Sequence, residues 1–374
     1  MMNEPKRRPV RSVQRMLKEA KRRPVRWGWL GVCAGILVTG GVLVALNLVR
    51  AGDDRPRAGP VAPAVTGRTL FVSANAGAGG QGSPTRPFAT IQPAVDLAQP
   101  GDTVRVEPGR YPGGFHSVRS GTAEHRIRFS AMDAEIVRGA TPRLIELQND
   151  YLDLSGFDVV GGTAGIRIYG AHHVRVVHNV IRDALGECVR VKNQSRDNEI
   201  AFNEIRGCGQ RNFNLAEDRK NGEGVYVGTA PEQLDDLPGD GPDRSDRNWI
   251  HDNKINTPAE CVDVKEFSAA ALVEHNMCTG GQDPDSAGFS ARGDRVTFRG
   301  NTVYGGAGAG IRLGGDRAGQ GLHTVVVDND FEHPRGYGIK IMRTPQGEIC
   351  GNGLLSPGEG ASNLSTADPT AACR

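Results

Sequence analysis

The chain has 374 residues, a formal net charge of +2 at pH 7 and 51 glycines, and only 5% of its residues are aromatic. A nearly neutral chain is not suited to bulk binding of nucleic acid, so we predict no nucleic-acid partner. The sequence contains no phosphate-binding glycine loop, zinc-spaced Cys/His cluster or nucleophile-elbow motif. Nucleotide-dependent, zinc-dependent and serine-hydrolase chemistry therefore lack support.

The N-terminal region is typical of a membrane anchor. Residues 1–26 form a basic segment, and Trp27–Val49 is an uncharged run of 23 residues, long enough to cross a hydrocarbon layer of about 30 Å. A cleaved signal peptide is the alternative, but the run is longer than is usual for one and no convincing Ala-x-Ala site follows. The basic flank predicts a cytoplasmic N-terminus. The flexible Pro-, Ala- and Gly-rich linker at 50–67 and the domain at 68–374 would then lie outside the cytoplasm.

The start of this domain predicts a strand followed by a short helix. Thr69–Ser73 has the composition of a strand, and Ile91, Ala94, Val95 and Ala98 fall at helical spacing. The exposed edge of a stack of parallel strands has to be covered, or it pairs with other chains. We expect this amphipathic helix to cap the N-terminal end of the domain.

The sequence between residues 164 and 342 repeats one short phrase, and a stretch that ends in asparagine separates the copies. The phrases are Ala164–Ile168, Glu187–Val191, Glu223–Val227, Glu260–Val264, Ala287–Ala291, Ala309–Leu313 and Tyr337–Ile341, and the asparagines are Asn179, Asn203, Asn253, Asn276, Asn301, Asn329 and Asn352. Except where two insertions lengthen it, the repeat spans 22 to 28 residues, with a strand in each half. One coil cannot bury its apolar positions alone, so coils must stack. The sequence predicts an all-β, right-handed parallel β-helix solenoid.

The repeated asparagines predict a structural ladder at one turn of the coil. Stacked asparagine side chains hydrogen-bond to each other and to turn backbone groups, and asparagine tolerates the left-handed backbone conformation. We therefore expect Asn179, Asn253, Asn276, Asn301 and Asn329 to hold the turns and to take no part in chemistry.

Strand alternation divides each phrase into core positions and two outward columns. The outward columns contain Arg167, Arg190, Tyr226, Asp263, Ser290, Arg312 and Lys340, and then Tyr169, Lys192, Gly228, Lys265, Arg292, Gly314 and Met342. These columns are basic on a nearly neutral chain, so a linear polyanion is the expected ligand. We predict Arg190, Lys192, Tyr226, Asp263 and Arg312 as substrate-binding residues. Ordinary solvated charge on a sheet is the alternative.

Six cysteines follow the apolar run, and an even number in an oxidising compartment predicts up to three disulfides. Cys188 and Cys261 share a column but lie two coils, roughly 9.6 Å, apart, beyond the ~7 Å reach of a disulfide. Cys350 and Cys373 are the favoured pair, which would hold the C-terminal tail over the end of the helix. Free buried thiols are the alternative.

The segment before the repeats carries a resemblance to a known superfamily. Its motifs Pro87–Ile91, Gln99–Val104 and Pro108–Tyr111 resemble the opening of the pectin-lyase-like superfamily of right-handed β-helix proteins. The resemblance extends over about Leu70–Asn352 and implies the fold. It leaves the activity open, since the superfamily includes polysaccharide lyases, hydrolases, epimerases and proteins without known activity.

Lys265 and Arg292 are the predicted catalytic pair. They share an outward column on adjacent coils, so their Cα atoms should lie about 4.8 Å apart. We expect the two like charges to lower the pKa of Lys265, and a lysine of lowered pKa can act as a general base. β-Elimination of a uronate needs a base for the proton α to the carboxylate, a cation for the enolate and an acid for the leaving oxygen. Lys265 as base and Arg292 as acid or electrostatic partner fit these roles.

The same region is similar to the alginate-lyase and chondroitin-B-lyase family of β-helix enzymes. That family places a lysine and an arginine on successive coils, beside a calcium ion held by asparagine and glutamate side chains. The resemblance rests on Asn221-Gly-Glu223, Glu260–Lys265 and Ser290–Gly293. It implies a calcium site at Asn221, Glu223 and Glu260.

The chain also departs from that family's pattern at three positions. Gly293 replaces a histidine, Glu266 replaces a serine, and Pro258 stands where a second glutamate would complete the acidic pair. We predict a membrane-anchored extracytoplasmic lyase acting on an acidic, uronic-acid-containing polysaccharide. A non-catalytic glycan-binding or cell-envelope protein and a uronate epimerase remain the alternatives.

Overall fold

The computed structural model describes residues 67–139, 142–239, 241–365 and 368–373. The predicted basic segment, the membrane anchor and nearly all of the linker lie outside the described residues, so these assignments stay predictions. Within the described ranges, no helix is both long enough and apolar enough to span a membrane.

Each coil of the domain places parallel strands on three faces. Face one contains β1 (Thr69–Val72), β2 (Thr103–Val106), the first parts of β5 (Ile127–Val137) and β7 (Leu152–Val160), β9 (Arg175–Val177), β12 (Glu199–Ala201), β17 (Trp249–His251), β20 (Leu272–Glu274), β23 (Thr297–Arg299), β26 (Val325–Val327) and β29 (Ile349–Cys350). Face two contains β3 (Gly109–Pro112), the second parts of β5 and β7, β10 (Val180–Arg182), β13 (Glu204–Arg206), β18 (Lys254–Thr257), β21 (Met277–Gly280), β24 (Thr302–Tyr304), β27 (Asp330–Glu332) and β30 (Gly353–Leu355).

Face three is the sheet formed by the repeated phrases. It contains β4 (Phe115–His116), β6 (Ile145–Leu147), β8 (Ile166–Tyr169), β11 (Val189–Lys192), β16 (Val225–Val227), β19 (Val262–Val264), β22 (Ala287–Ala291), β25 (Ala309–Leu313), β28 (Tyr337–Ile341) and β31 (Gly360–Ser362). A short antiparallel hairpin, β14 (Phe213–Asn214) and β15 (Arg219–Lys220), projects from the coil between β13 and β16.

The repeat register predicted from the sequence is the observed register. Val189 pairs with Ile166 on one side and Val225 on the other, and all three side chains are fully buried. These residues belong to one continuous hydrophobic core that fills the solenoid. The predicted parallel β-helix is therefore confirmed.

The prediction of two strands per repeat was incomplete, because the asparagine marks a corner between two strands. Each ladder asparagine from Asn179 to Asn329 donates to Oδ1 of the next one. Asn253 Oδ1, for example, accepts from Asn203 N at 3.0 Å, while Asn253 Nδ2 donates to Asn276 Oδ1 at 3.0 Å. The left-handed residue is the one before the asparagine, such as Phe202 (φ 55°) or Asp252 (φ 52°). The ladder prediction is confirmed, but the assignment of the left-handed conformation to asparagine was wrong.

The N-terminal cap and the disulfides follow the sequence predictions. Helix α1 (Gln92–Leu97) buries Ala94 and Val95, and the Gln92 side chain donates to His116 O at 3.0 Å and accepts from His116 N at 2.9 Å, which ties the helix to β4. The described cysteines form the disulfides Cys188–Cys208, Cys261–Cys278 and Cys350–Cys373. The last is the predicted pair.

Candidate active site

Most of the predicted site residues line two neighbouring clefts on the outside of face three, and Tyr226 and Asp263 are buried beside them. The first cleft has a volume of about 320 Å³, and Glu223, Glu260, Lys265, Arg292 and Arg312 are among its lining residues. The second has a volume of about 380 Å³ and is lined by Arg167, Arg190 and Lys192 among others, and Asn221 lines both clefts.

Lys265 and Arg292 both reach the buried carboxylate of Asp263. Lys265 Nζ lies 2.6 Å from Asp263 Oδ2, and Arg292 Nε lies 3.6 Å from the same oxygen. Asp263 has no exposed surface. Because Asp263 stands two residues before Lys265, strand alternation puts both side chains on one side of the sheet. Asp263, predicted as a substrate-binding residue, therefore lies beneath the two cations.

The pKa of Lys265 is raised, and the expectation of a lowered pKa was wrong. Burial is the largest single effect and, with the nearby Arg292, disfavours the ammonium form, but the Asp263 carboxylate together with Tyr226 and Glu223 outweighs them. Burial also opposes the charge of Arg292, yet Asp263 and Glu260 hold the pKa of its guanidinium above the usual value. The like charges on adjacent coils share a counterion, Asp263, which the expectation of a lowered pKa did not include. Both side chains are cationic in the free protein.

Carboxylates of Glu223, Glu260 and Asp263 meet at the floor of the first cleft. One oxygen from each lies within 4.8 Å of the others, and all three residues are buried. Burial and the neighbouring Glu187 raise the pKa of Glu223 to about 8, and burial and Asp263 raise the pKa of Glu260. The three carboxylates repel one another, and together they offer the oxygen donors and negative charge that a hard divalent cation binds. Asp263 provides the third carboxylate. The lyase-family pattern would take it from a glutamate at position 258, where this chain has Pro258.

Two departures from the lyase pattern have local explanations. An added Cβ at Gly293 would lie 1.9 Å from Ser268 O, so the backbone leaves no room for the histidine that the resemblance implies. Glu266 is buried, and its Oε2 has no hydrogen-bond partner among the described residues. Burial raises the pKa of this carboxyl group, which stands next to the proposed base.

The buried Tyr226 side chain packs against one cation from each cleft. Its ring lies between Arg190, whose Cζ is 3.8 Å from the ring centroid, and Lys265, whose Nζ is 4.6 Å away. These are cation–π distances, and the arrangement keeps Arg190 and Lys265 pointing over the same surface. In the second cleft, burial and then Arg190 and Arg167 lower the pKa of Lys192 to about 8.

Polar residues from outside the two columns also contact the site residues, and they were not predicted. Asp316 accepts from Arg292 Nη1 and Arg312 Nη2, each at 2.8 Å, and so joins two predicted residues at the rim of the cleft. Ser286 donates to Glu260. Both lie in loops, whose positions the repeat register does not give. Glu187, which pairs with Arg190, could have been found, because it occupies the same phrase position as Glu223 and Glu260.

Comparison with known families identifies the class of protein. The family model described as "Right handed beta helix region" matches residues 164–367, more than half of the 374 residues. The chain belongs to this family of right-handed β-helix proteins. The comparison with curated protein sequences gave no match.

Solved structures with the same fold include several lyases. An alginate lyase from Paenibacillus sp. str. FPU-7 superposes with a TM-score of 0.61 at 21% identity, over 79% of this chain and 99% of that chain. The pectate lyase Pel9A superposes with a TM-score of 0.60 at 12% identity, over 81% of this chain and 78% of that chain. A mannuronic acid specific polysaccharide family 6 lyase from human gut microbiota superposes with a TM-score of 0.53 at 17% identity, over 77% of this chain and 66% of that chain. At these identities the likeness establishes a shared, pectin-lyase-like fold.

Proposed function

We propose that this protein cleaves a uronic-acid-containing polysaccharide by β-elimination in the first cleft. The observation that carries the proposal is the placement of Lys265 and Arg292 on adjacent coils, above buried carboxylates and beside a basic second cleft. This arrangement supplies a nitrogen base, a fixed cation and a surface for a polyanion. The fold is shared with enzymes named as alginate and pectate lyases, which supports the same chemistry here.

Each cation has a role in the proposed reaction. Lys265 first releases its own proton to water as substrate enters the cleft. It then takes the proton α to the uronate carboxylate and returns it to the departing glycosidic oxygen, so that the C–O bond breaks as the C=C bond forms. Arg292 stays charged, since Asp263 and Asp316 pair with it, and it stabilises the developing enolate or assists the leaving oxygen. Asp263 holds both groups in position.

The carboxylate floor is proposed as a calcium site. Glu223, Glu260 and Asp263 would hold the ion, and Asn221, which lines the cleft, is the further candidate ligand. Calcium there would supply positive charge to neutralise the substrate carboxylate, which makes the adjacent proton more acidic. The oxygen-only donor set supports calcium over zinc.

The second cleft is proposed to bind neighbouring uronate units of the same polymer. Arg190 and Lys192 occupy its wall, and Arg312 lies on the far side of Lys265 along the solenoid axis. Cations on successive rungs suit a linear polyanion that runs parallel to the axis. Tyr226 is buried between Arg190 and Lys265 and would act on the substrate by positioning these two cations.

We further propose that the domain is held outside the cytoplasm by the N-terminal apolar segment. The disulfides of the described domain support an oxidising compartment, because such bonds are rare in the cytosol. The anchor itself rests on the sequence pattern of Trp27–Val49.

A non-catalytic, glycan-binding role is the second candidate, and one observation favours it. Lys265 is paired with Asp263 at 2.6 Å and its pKa is raised, the reverse of what a resting general base requires. A protein of this kind would retain polyuronate without product, and its affinity would fall with salt.

The test exposes the full-length protein to alginate, polygalacturonate and dermatan sulfate, with calcium and then with chelator. A lyase produces an unsaturated uronate that absorbs in the ultraviolet. An epimerase incorporates solvent deuterium at the α carbon without that absorbance. Retention of polymer with neither signal would exclude catalysis on the panel and favour the binding role.

A further inference from the structure

A separate groove runs along the axis on face one. It has a volume of about 430 Å³ and crosses the strands from Thr103 to Phe202. Its floor is a column of small outward side chains, Ser130, Ser155 and Val177, which are aligned by the strand register. Because large residues are missing from this column over these rungs, the sheet surface is open along the axis.

Aromatic side chains border the groove on the side of the asparagine corner. The rings of His178 and Phe202 stack with centroids 5.0 Å apart, and Phe202 meets His251 edge-on at 5.4 Å. Beyond the end of the groove, Trp249 stacks on His251 with ring centroids 3.8 Å apart, in the column of Glu199. Phe202 is 48% exposed and Trp249 is 40% exposed. We call His178 and Phe202, the two rings that line the groove on successive rungs, the aromatic strip.

Phe202 is held in a backbone conformation that phenylalanine disfavours. Its φ is 55°, in the left-handed region, where a bulky residue is uncommon and strained. The equivalent corners have His178 (φ 57°), Asp252 (φ 52°), His275 (φ 53°), Asp328 (φ 55°) and glycines, so Phe202 is the one apolar aromatic residue at these corners of the described ladder. An exposed ring in a strained position has no packing role in the core, so the ring itself points to a binding function.

The charges that line the groove cancel. Asp153 Oδ2 lies 3.8 Å from Arg128 Nε, and Glu199 Oε2 lies 2.6 Å from Arg175 Nε. Paired carboxylate and guanidinium groups offer both hydrogen-bond acceptors and donors, without a net field that would select a polyanion. The groove therefore differs in kind from the basic clefts on face three.

We propose that this groove is a second saccharide-binding site, for a neutral, linear glycan chain. The C–H face of a pyranose ring stacks on an exposed aromatic ring, which the aromatic strip provides on successive rungs. Sugar hydroxyls meet Asp153, Arg175 and Glu199 along the opposite wall. The site would hold the protein on an uncharged polysaccharide, and this inference does not depend on catalysis at Lys265.

The experiment measures binding of the full-length protein to neutral β-linked hexasaccharides of glucose, mannose and N-acetylglucosamine by saturation-transfer NMR and titration calorimetry. We expect saturable binding to at least one of them. Phe202→Asn should weaken it about tenfold, and since asparagine tolerates positive φ the fold should be kept. The matched control is His275→Asn, at an equivalent exposed corner with φ 53° outside the groove.

Several outcomes would overturn the proposal. Absence of binding to every hexasaccharide would do so, as would binding that Phe202→Asn leaves unchanged. Binding that Lys265→Met abolishes would assign the saccharide to face three instead. Thermal melting of each variant checks that the solenoid is intact.

Discussion

Replacing Asp263 with asparagine tests the electrostatic core of the candidate site. The substitution keeps the shape of the side chain but removes the charge that pairs with Lys265 at 2.6 Å and lies 3.6 Å from Arg292. Asp263 is fully buried, and breaking a buried ion pair leaves an uncompensated charge, at a cost of about 3 kcal/mol. We expect Asp263→Asn to lower the free energy of unfolding by that amount, measured by urea denaturation with disulfides intact.

The same change should alter the pH dependence of activity. The Asp263 carboxylate favours the ammonium form of Lys265, so removing it lowers the pKa of that lysine. If Lys265 is the general base, the acid limb of the pH–rate profile shifts to lower pH. A profile measured under saturating substrate reports this shift even where total activity falls.

The control is Asp316→Asn, which removes an acid that also pairs with Arg292, at 2.8 Å. The Asp316 side chain is 60% exposed, and exposed ion pairs contribute no more than about 1 kcal/mol. An Asp263→Asn variant as stable as Asp316→Asn would refute the view that a buried, charged Asp263 holds the site together.

Three further predictions follow from the same structure. Affinity for polyuronate should decrease as pH rises through about 8, where Lys192 loses its proton, and Lys192→Arg should keep the affinity constant to higher pH in calorimetric titrations. Calcium affinity should increase as pH rises through about 8, because protons compete with calcium for the Glu223 carboxylate. Calcium should also raise the melting temperature, and a rise that Glu223→Gln leaves intact would argue against this site. Asn301→Ala should cost about 3 kcal/mol of stability, since it removes the side-chain bonds to Asn276, Val273 O and Asn329 and leaves these buried groups unpaired. Thr302→Ala next to it should cost about 1 kcal/mol or less.

Much of the fold could be predicted because each coil repeats the same pattern. The phrase Glu187–Val191 and its copies fix the register of face three, and the asparagines fix one corner. The third strand was missed because strands such as β9 and β10 are three residues long and only His178 and Asn179 separate them. In sequence, two short strands across such a corner look like one.

The sequence predicted only those site residues that lie in or beside the repeated phrases, because the repeat fixes the register of the strands and not the positions of the loops. Lys265 and Arg292 lie on adjacent rungs as expected, but Asp316 comes from a loop that no repeat positions. The protonation of Lys265 was predictable in principle, since Asp263 two residues earlier faces the same way. Its sign was missed because the balance between Asp263 and Arg292 depends on distances that only the structure provides.

The most direct test of the central claim is the ultraviolet absorbance of polyuronate solutions with the full-length protein and calcium. We predict that absorbance rises, that Lys265→Met abolishes the rise, and that Lys340→Met, another lysine on the outer surface of face three, leaves it unchanged. An absorbance trace that stays flat for every polyuronate, or one that rises equally with Lys265→Met, would contradict β-elimination at this site.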